Sequence, residues 1–165
     1  MTSFVGQPPG DDNPRKPHFS AWHSKPGGRP PFVWSCKVRS YEVDSHGYVR
    51  NGVYMDYLEA ARVAAMCTAG LTFDRARKEA VHIVVAAAAL RYLAPAHLNN
   101  EVEITVDVTR IGRTSVTFHQ VARNKTTSRT VVDAEIVGVF LGADGRPTGV
   151  SEEFMKAFGP PPEAA

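Results

Sequence analysis

The sequence predicts an α+β fold in which a curled antiparallel β-sheet wraps around one long central helix. Three observations carry that expectation. In "NGVYMDYLEAARVAAMCTAG" the residues Tyr54, Tyr57, Leu58, Ala61 and Ala65 recur at helical spacing, the pattern of a long helix with one buried face. One strand-like segment precedes this helix and four follow it. The later segments are joined by short turns, which favour antiparallel neighbours, and a lone helix must then lie across one face of the sheet to bury its tyrosine stripe.

Taken in order, "FVWSCKVRSY" from Phe32 to Tyr41 sets Trp34, Cys36 and Val38 on one face and Lys37 and Arg39 on the other, the period of a half-buried strand. After Gly52 the period becomes helical. The helix is predicted from about Val53 to Ala69, with Asn51 near its N-cap and Gly70 placed to end it. Asn51-Gly52 alone also signals a hairpin, but no alternating strand follows it. "LTFDRARKEA" gives a short second helix. "VHIVVAAAALRYLAP" is apolar on both faces: its alanines favour a helix, whereas Val81, Ile83, Val84, Val85 and the abrupt "RYLAP" ending favour a strand covered on both sides, and the strand is preferred. "EVEITVDVTRI" alternates cleanly, with Val102, Ile104, Val106 and Val108 inward. "TSVTFHQVAR" follows through the Gly112-Arg113 turn, and "TVVDAEIVGVFL" stops at "GADGRP". Such a small sheet leaves an edge and an apolar strand to protect, so a second copy covering Val81 to Leu90 in a symmetric dimer is expected.

The 165 residues suit one domain. Residues 1–31 hold seven of the twelve prolines, with Phe19 and Trp22 as the aromatic exceptions; this composition predicts a flexible arm. The domain is placed at 32–154 and a flexible C-terminal tail at 155–165. Nineteen basic residues against seventeen acidic ones give a net charge of +2, too little to expect non-specific nucleic-acid binding. Cys36 and Cys67 show neither CxxC nor metal-ligand spacing, so no disulfide framework or metal site is expected. With no signal-peptide pattern and no apolar stretch of membrane-spanning length, the expected setting is the cytoplasm.

The chemistry concentrates in "YEVDSHGYVRNGVYMDYLEAAR". Asp44 follows the first strand, and Gly47 permits the excursion that returns the chain to the start of the helix. There the first-turn amides, expected from Asn51, Gly52 and Val53, lack intrahelical partners and suit a carbonyl oxygen gaining charge. A nearby carboxylate could attack the carbonyl carbon or deprotonate a water, the parts of an acyl-transfer or thioester-hydrolysis site. Alternatively, Asp44 merely closes an Asx-turn or caps the helix. His46 either tunes Asp44 and orients water or stands in solvent. Arg91, Arg110, Arg113, Arg123 and Lys125 are candidate phosphate contacts or a solvated sheet face. Tyr54, Tyr57, Met66 and Phe73 outline an apolar acyl pocket or plain core.

This segment resembles the signature of the hot-dog-fold acyl-CoA thioesterases of the hydroxybenzoyl-CoA thioesterase and YbgC type, Asp-x-x-Gly-His-Val-x-Asn-x-x-Tyr followed by Glu-x-x-Arg. The matches are Asp44, Gly47, Val49, Asn51, Tyr54, Glu59 and Arg62. The likeness continues through "VVAAAALRYLAPAHLNNEV" and "SVTFHQVARN" and spans about Phe32 to Phe154. It implies a hot-dog protomer, a homodimer or dimer of dimers whose sheets join, and an active site at the interface. It also implies that Asp44 is the catalytic carboxylate and that the Asn51 amide, with Gly52 beside it, holds the thioester oxygen. The substrate is then an acyl-CoA or an acyl carrier protein thioester, with coenzyme A or phosphopantetheine entering as part of the substrate and no separate cofactor. Substrate contacts are expected from Tyr48, Tyr54, Arg91 and Arg113.

Departures from the pattern are informative. The family's usual histidine after the glycine is Tyr48 here, and Asn51 stands where the YbgC branch carries a histidine. Glu59 and Arg62 are expected to form a structural ion pair. A hydratase on the same fold would show Asp-x-x-x-x-His, but Val49 occupies that place, and the "HFPG"-like loop of the dehydratases is absent. A non-catalytic module binding an acyl ligand or a partner is the remaining alternative.

Overall fold

The computed structural model describes residues 31–79 and 81–159. The arm at 1–30, with Phe19 and Trp22, and the tail at 160–165 lie outside the described residues. The elements run β1 (Phe32–Lys37), a 3-10 turn (Ser40–Glu42), α1 (Asn51–Thr68), α2 (Phe73–Glu79), β2 (His82–Tyr92), β3 (Glu101–Ile111), β4 (Ser115–Asn124), β5 (Arg129–Leu141) and α3 (Glu152–Phe158). The strands form one antiparallel sheet in the order β1-β3-β4-β5-β2. The predicted hot-dog architecture is the observed one.

Alternation puts Val102, Ile104 and Val106 of β3, Val116, Phe118 and Ala122 of β4, and Ala134, Ile136 and Phe140 of β5 on one face, all buried. Against that face lies α1, burying Val53, Tyr54, Tyr57, Leu58, Ala61 and Ala65. The helix starts at Asn51 with Arg50 as its N-cap, so Asn51 is its first residue rather than its cap. It ends where predicted. Gly70 takes φ +82°, its amide donates to Cys67 O at 3.0 Å, and Leu71 N donates to Met66 O at 2.9 Å, a left-handed stop that glycine adopts at least cost.

Several expectations shift. β1 stops at Lys37, four residues short of Tyr41, because Val38 turns to a different partner: its amide donates to Asn100 O at 2.9 Å and its carbonyl accepts from Asn99 N at 3.1 Å. β2 is a strand, as preferred, but it sits at the edge of the sheet beside β5 alone. Within the protomer it is therefore open rather than covered on both faces, with Val84 41% and Val85 50% exposed. It packs closely where it meets β5: a Cβ on Gly138 would come within 2.7 Å of Ile83 Cγ2.

The domain boundary placed at Phe154 falls inside α3. Ser151 caps that helix by accepting from Phe154 N at 3.2 Å. Phe154 and Phe158, one turn apart, share a face, and the fully buried Phe154 ring lies 5.1 Å from Phe140.

Arg62 does not pair with Glu59. Its buried guanidinium donates to Gln120 Oε1 at 2.6 Å, and Gln120 Nε2 donates to Leu58 O at 2.9 Å. Exposed Glu59 acts on Arg62 only at longer range. Burial at the helix–sheet contact turns Arg62 toward β4 and lowers its pKa by desolvation.

Candidate active site

Between the 3-10 turn and α1 the chain folds back on itself. Val43 bridges to Val49, Asp44 N donates to Tyr48 O at 2.8 Å, and Gly47 N donates to Asp44 O at 3.0 Å. Gly47 takes φ +79°, which explains why glycine stands there. This loop is pinned to a second one: Tyr48 bridges to His97 and Val49 N donates to Ala96 O at 2.9 Å. The second loop is itself fixed, since Asn100 Oδ1 accepts from His97 N at 2.9 Å and from Asn124 Nδ2 at 2.8 Å.

Asp44 does close an Asx-turn. Its Oδ1 accepts from His46 N at 2.8 Å and from Tyr48 N at 3.0 Å, and Oδ2 receives neither bond. The carboxyl is exposed. The Tyr48 amide leads in holding its pKa below the usual value of 3.8, desolvation opposes this, and the His46 amide, the His46 ring charge and the Gly47 amide add to the lowering. An acid held this way is ionised at neutral pH.

Asn51 and Gly52 open α1 and are exposed. Val53 N is satisfied by Arg50 O at 3.0 Å, while no carbonyl among the described residues accepts from the Asn51 or Gly52 amide. Tyr92 of β2 reaches across to donate its hydroxyl to Asn51 O at 3.3 Å. Asp44, Asn51 and Gly52 thus share one end of the molecule.

Other expected site residues divide. Exposed His46 stacks on Tyr48 at 6.5 Å between ring centroids, and Tyr48 meets His97 at 5.0 Å, so both His46 and Tyr48 border the Asp44 loop. Tyr54 is 3% exposed and belongs to the core of the protomer. Among the described residues its hydroxyl lies within hydrogen-bond distance of no partner, and burial pushes its pKa up. Arg91 faces away from the helix, bonded to Asp133, whose other oxygen meets His119 Nε2 at 2.8 Å. Arg113 lies at the far end of the sheet. β3 starts beside the 96–100 loop and runs eleven residues away from it before Arg113, roughly 35 Å at about 3.3 Å per residue, so one protomer does not bring Arg113 to Asp44.

Glu42 is the residue sequence reasoning missed. It is 7% exposed, and its Oε2 accepts from Tyr57 OH at 2.6 Å and from Arg39 N at 2.7 Å. Its backbone carbonyl accepts from Arg50 N at 3.0 Å, so Glu42 ties the loop to the helix at two levels. Burial, and then the bond to Glu42, push the Tyr57 phenol up. Burial, and then the Glu42 charge, push the Cys36 thiol up to about 11, leaving it unreactive. Parity was the available signal, since the inward positions 34, 36 and 38, half-buried at Trp34 and Cys36 and buried at Val38, extrapolate to 42. Tyr57→Phe is expected to lower stability by about 1.5 kcal/mol, the scale of a hydrogen bond to a charged group, read as a lower urea midpoint at constant slope. A change under about 0.5 kcal/mol would mean that the bond is replaced by water.

Among the described residues no cluster of three His, Cys, Asp or Glu side chains is arranged to hold a metal, and no helix is long and apolar enough to cross a membrane.

Fold and candidate site together point to a class: a curled antiparallel sheet packed on one long helix, with an ionised carboxylate at the same end of the molecule as that helix's first turn. The chain belongs to the thioesterase-like superfamily, whose family model matches residues 38–158. It is similar to the acyl-acyl carrier protein thioesterase ATL2, chloroplastic, of Arabidopsis thaliana, 24% identical over 123 residues that cover 74% of this chain and 65% of that protein. The acyl-CoA thioester hydrolase YbgC of Escherichia coli O6:H1 is 29% identical over 89 residues, 54% of this chain and 66% of that one. The chain therefore spans just under two thirds of the length of these relatives. In fold it is similar to Slr0204, a 1,4-dihydroxy-2-naphthoyl-CoA thioesterase from Synechocystis, with TM-score 0.71, 12% identity and coverage of 76% of this chain and 93% of that one.

Proposed function

We propose that this protein hydrolyses an acyl thioester, carried on coenzyme A or on an acyl carrier protein, to the free acid and thiol. One observation carries the reading: the ionised Asp44 carboxylate stands at the same end of the molecule as the Asn51 and Gly52 amides, which have no carbonyl acceptor among the described residues. The amides receive the carbonyl oxygen as it gains charge. Asp44 then acts in one of two ways. As general base it takes a proton from water while the hydroxide adds to the carbonyl carbon; the tetrahedral adduct expels thiolate, which leaves as thiol with that proton. As nucleophile it forms an acyl anhydride and releases thiolate, and water splits the anhydride. His46 and Tyr48 border the thioester, and the thioesterase names of the relatives support the same reaction class.

The working unit is a homodimer joined through the free edge of β2, a row of unpaired backbone groups flanked by exposed small residues from Ala86 to Ala88. Thiol release from a panel of acyl-CoA and acyl carrier protein thioesters, with mass by light scattering, tests both statements. Binding without thiol release would instead favour the non-catalytic module.

Because the folded-state pKa of Asp44 is depressed, its ionised form persists as pH falls through the ordinary carboxylate range and is lost only below it. The acid limb of kcat/KM is therefore expected below 3.8, the usual value for the side chain. An acid limb near pH 6 in a protein still folded there would assign the titrating group elsewhere.

A further inference from the structure

A cavity of about 170 Å³ lies at the opposite end of α1 from Asp44, with Met66, Leu71, Phe73, Ala76, Ile83 and Phe154 among its walls. Its lining is chiefly apolar, and its volume slightly exceeds that of a roughly 150 Å³ engineered cavity able to hold a six-carbon ring. The outer wall is α2, which buries none of its own residues and leaves Phe73 67% exposed. Arg75 latches this helix onto α3, meeting Glu79 at 2.6 Å and Glu153 at 3.1 Å. Such a wall encloses apolar space without filling it.

Within one protomer the cavity is out of reach of the site. Met66 lies fifteen residues past Asn51, roughly 22 Å along a helix rising about 1.5 Å per residue. β2, however, joins the two places: His82 and Ile83 at its start line the cavity, while Tyr92 at its end touches Asn51. An antiparallel two-fold pairing of β2 edges, centred on Ala87, sets His82 of the partner subunit opposite Tyr92. A dimer paired in that register would bring the partner's cavity to the Asp44 end of this protomer.

Resting on the thioester-hydrolase reading, we infer that this cavity receives the alkyl end of an acyl group whose thioester is held at Asp44 and Asn51 of the other subunit, which makes aliphatic acyl thioesters of medium length the substrate class. The cavity contributes in trans, and each site is incomplete without the partner.

Ala76→Phe, and independently Val63→Phe from the α1 side, fill the cavity. Each is expected to lower the ratio of kcat/KM for decanoyl-CoA over butanoyl-CoA at least tenfold and to remove the rise in Tm that decanoic acid gives the wild type. A ratio and a Tm shift unchanged in both variants overturn the assignment. A mixed dimer of one Asp44→Asn chain and one Ala76→Phe chain keeps one intact site under the trans arrangement, and about half the wild-type decanoyl-CoA turnover is expected. Loss of that turnover in the mixed dimer overturns the trans placement. If the wild type binds decanoic acid, the filling variants do not, and no thioester is hydrolysed, the cavity stands as an alkyl site and the hydrolase reading falls instead.

Discussion

Asp44→Asn is expected to lower kcat for thioester hydrolysis by at least about 100-fold, on the order of 2.7 kcal/mol or more, the scale for losing one group that acts at the transition state. KM changes little. The substitution isolates chemistry from architecture. Both loop bonds to the carboxylate fall on Oδ1, and an asparagine carbonyl can accept the same two amides, so the Asx-turn and the path into α1 are retained. What disappears is the charge, and with it the nucleophile or the proton acceptor. An unaltered Tm alongside the lost rate is the expected pair of results. Full turnover by the variant would remove Asp44 from the reaction, and a parallel fall in Tm would return it to the role of a turn-closing residue.

The parts of the candidate site that could be read in the sequence are those built from neighbours in the chain. Asp44, Gly47 and the start of α1 lie within nine residues of one another, and the physics that joins them, a left-handed glycine and unpaired first-turn amides, is local. The helix stop at Gly70 was legible for the same reason. What escaped depends on contacts between distant segments. β1 ends early because Val38 bonds to residues 99 and 100, and no pattern in residues 32–41 encodes that. Arg62 bonds to Gln120, fifty-eight residues away, so the spacing to Glu59 pointed to the wrong partner. Arg113 was a candidate phosphate contact by composition, and the direction of β3 carries it to the end of the sheet away from Asp44 of the same protomer. β2 is an intermediate case: its apolar content identified a strand that needs cover, while its position at the edge appears only once the strand order is known.

The Arg62–Gln120 pair gives the largest expected effect on stability. Gln120 is wholly buried in the middle of β4, between Phe118 and Ala122 on the inner face, and Arg62 is 5% exposed. Gln120→Leu preserves volume but takes away the acceptor for Arg62, leaving a guanidinium in apolar surroundings. The expected loss is about 3 kcal/mol, the lower end for stripping a buried charge of its partner. Arg62→Met removes the charge itself and orphans only a neutral amide oxygen, at about 1–2 kcal/mol. The double variant, with both polar groups gone and the space filled, is expected to recover most of the loss, because a well-packed apolar pair avoids the desolvation that the polar pair must offset. The four proteins form a cycle whose coupling energy is read from urea midpoints at constant slope. Simple additivity, with the double variant as unstable as the two single losses combined, would show that water or another acceptor reaches Arg62. A recovered double variant would also separate clamping from catalysis: α1 would remain docked by its apolar stripe, and the amides of Asn51 and Gly52, three turns up the helix, would keep their place at the site.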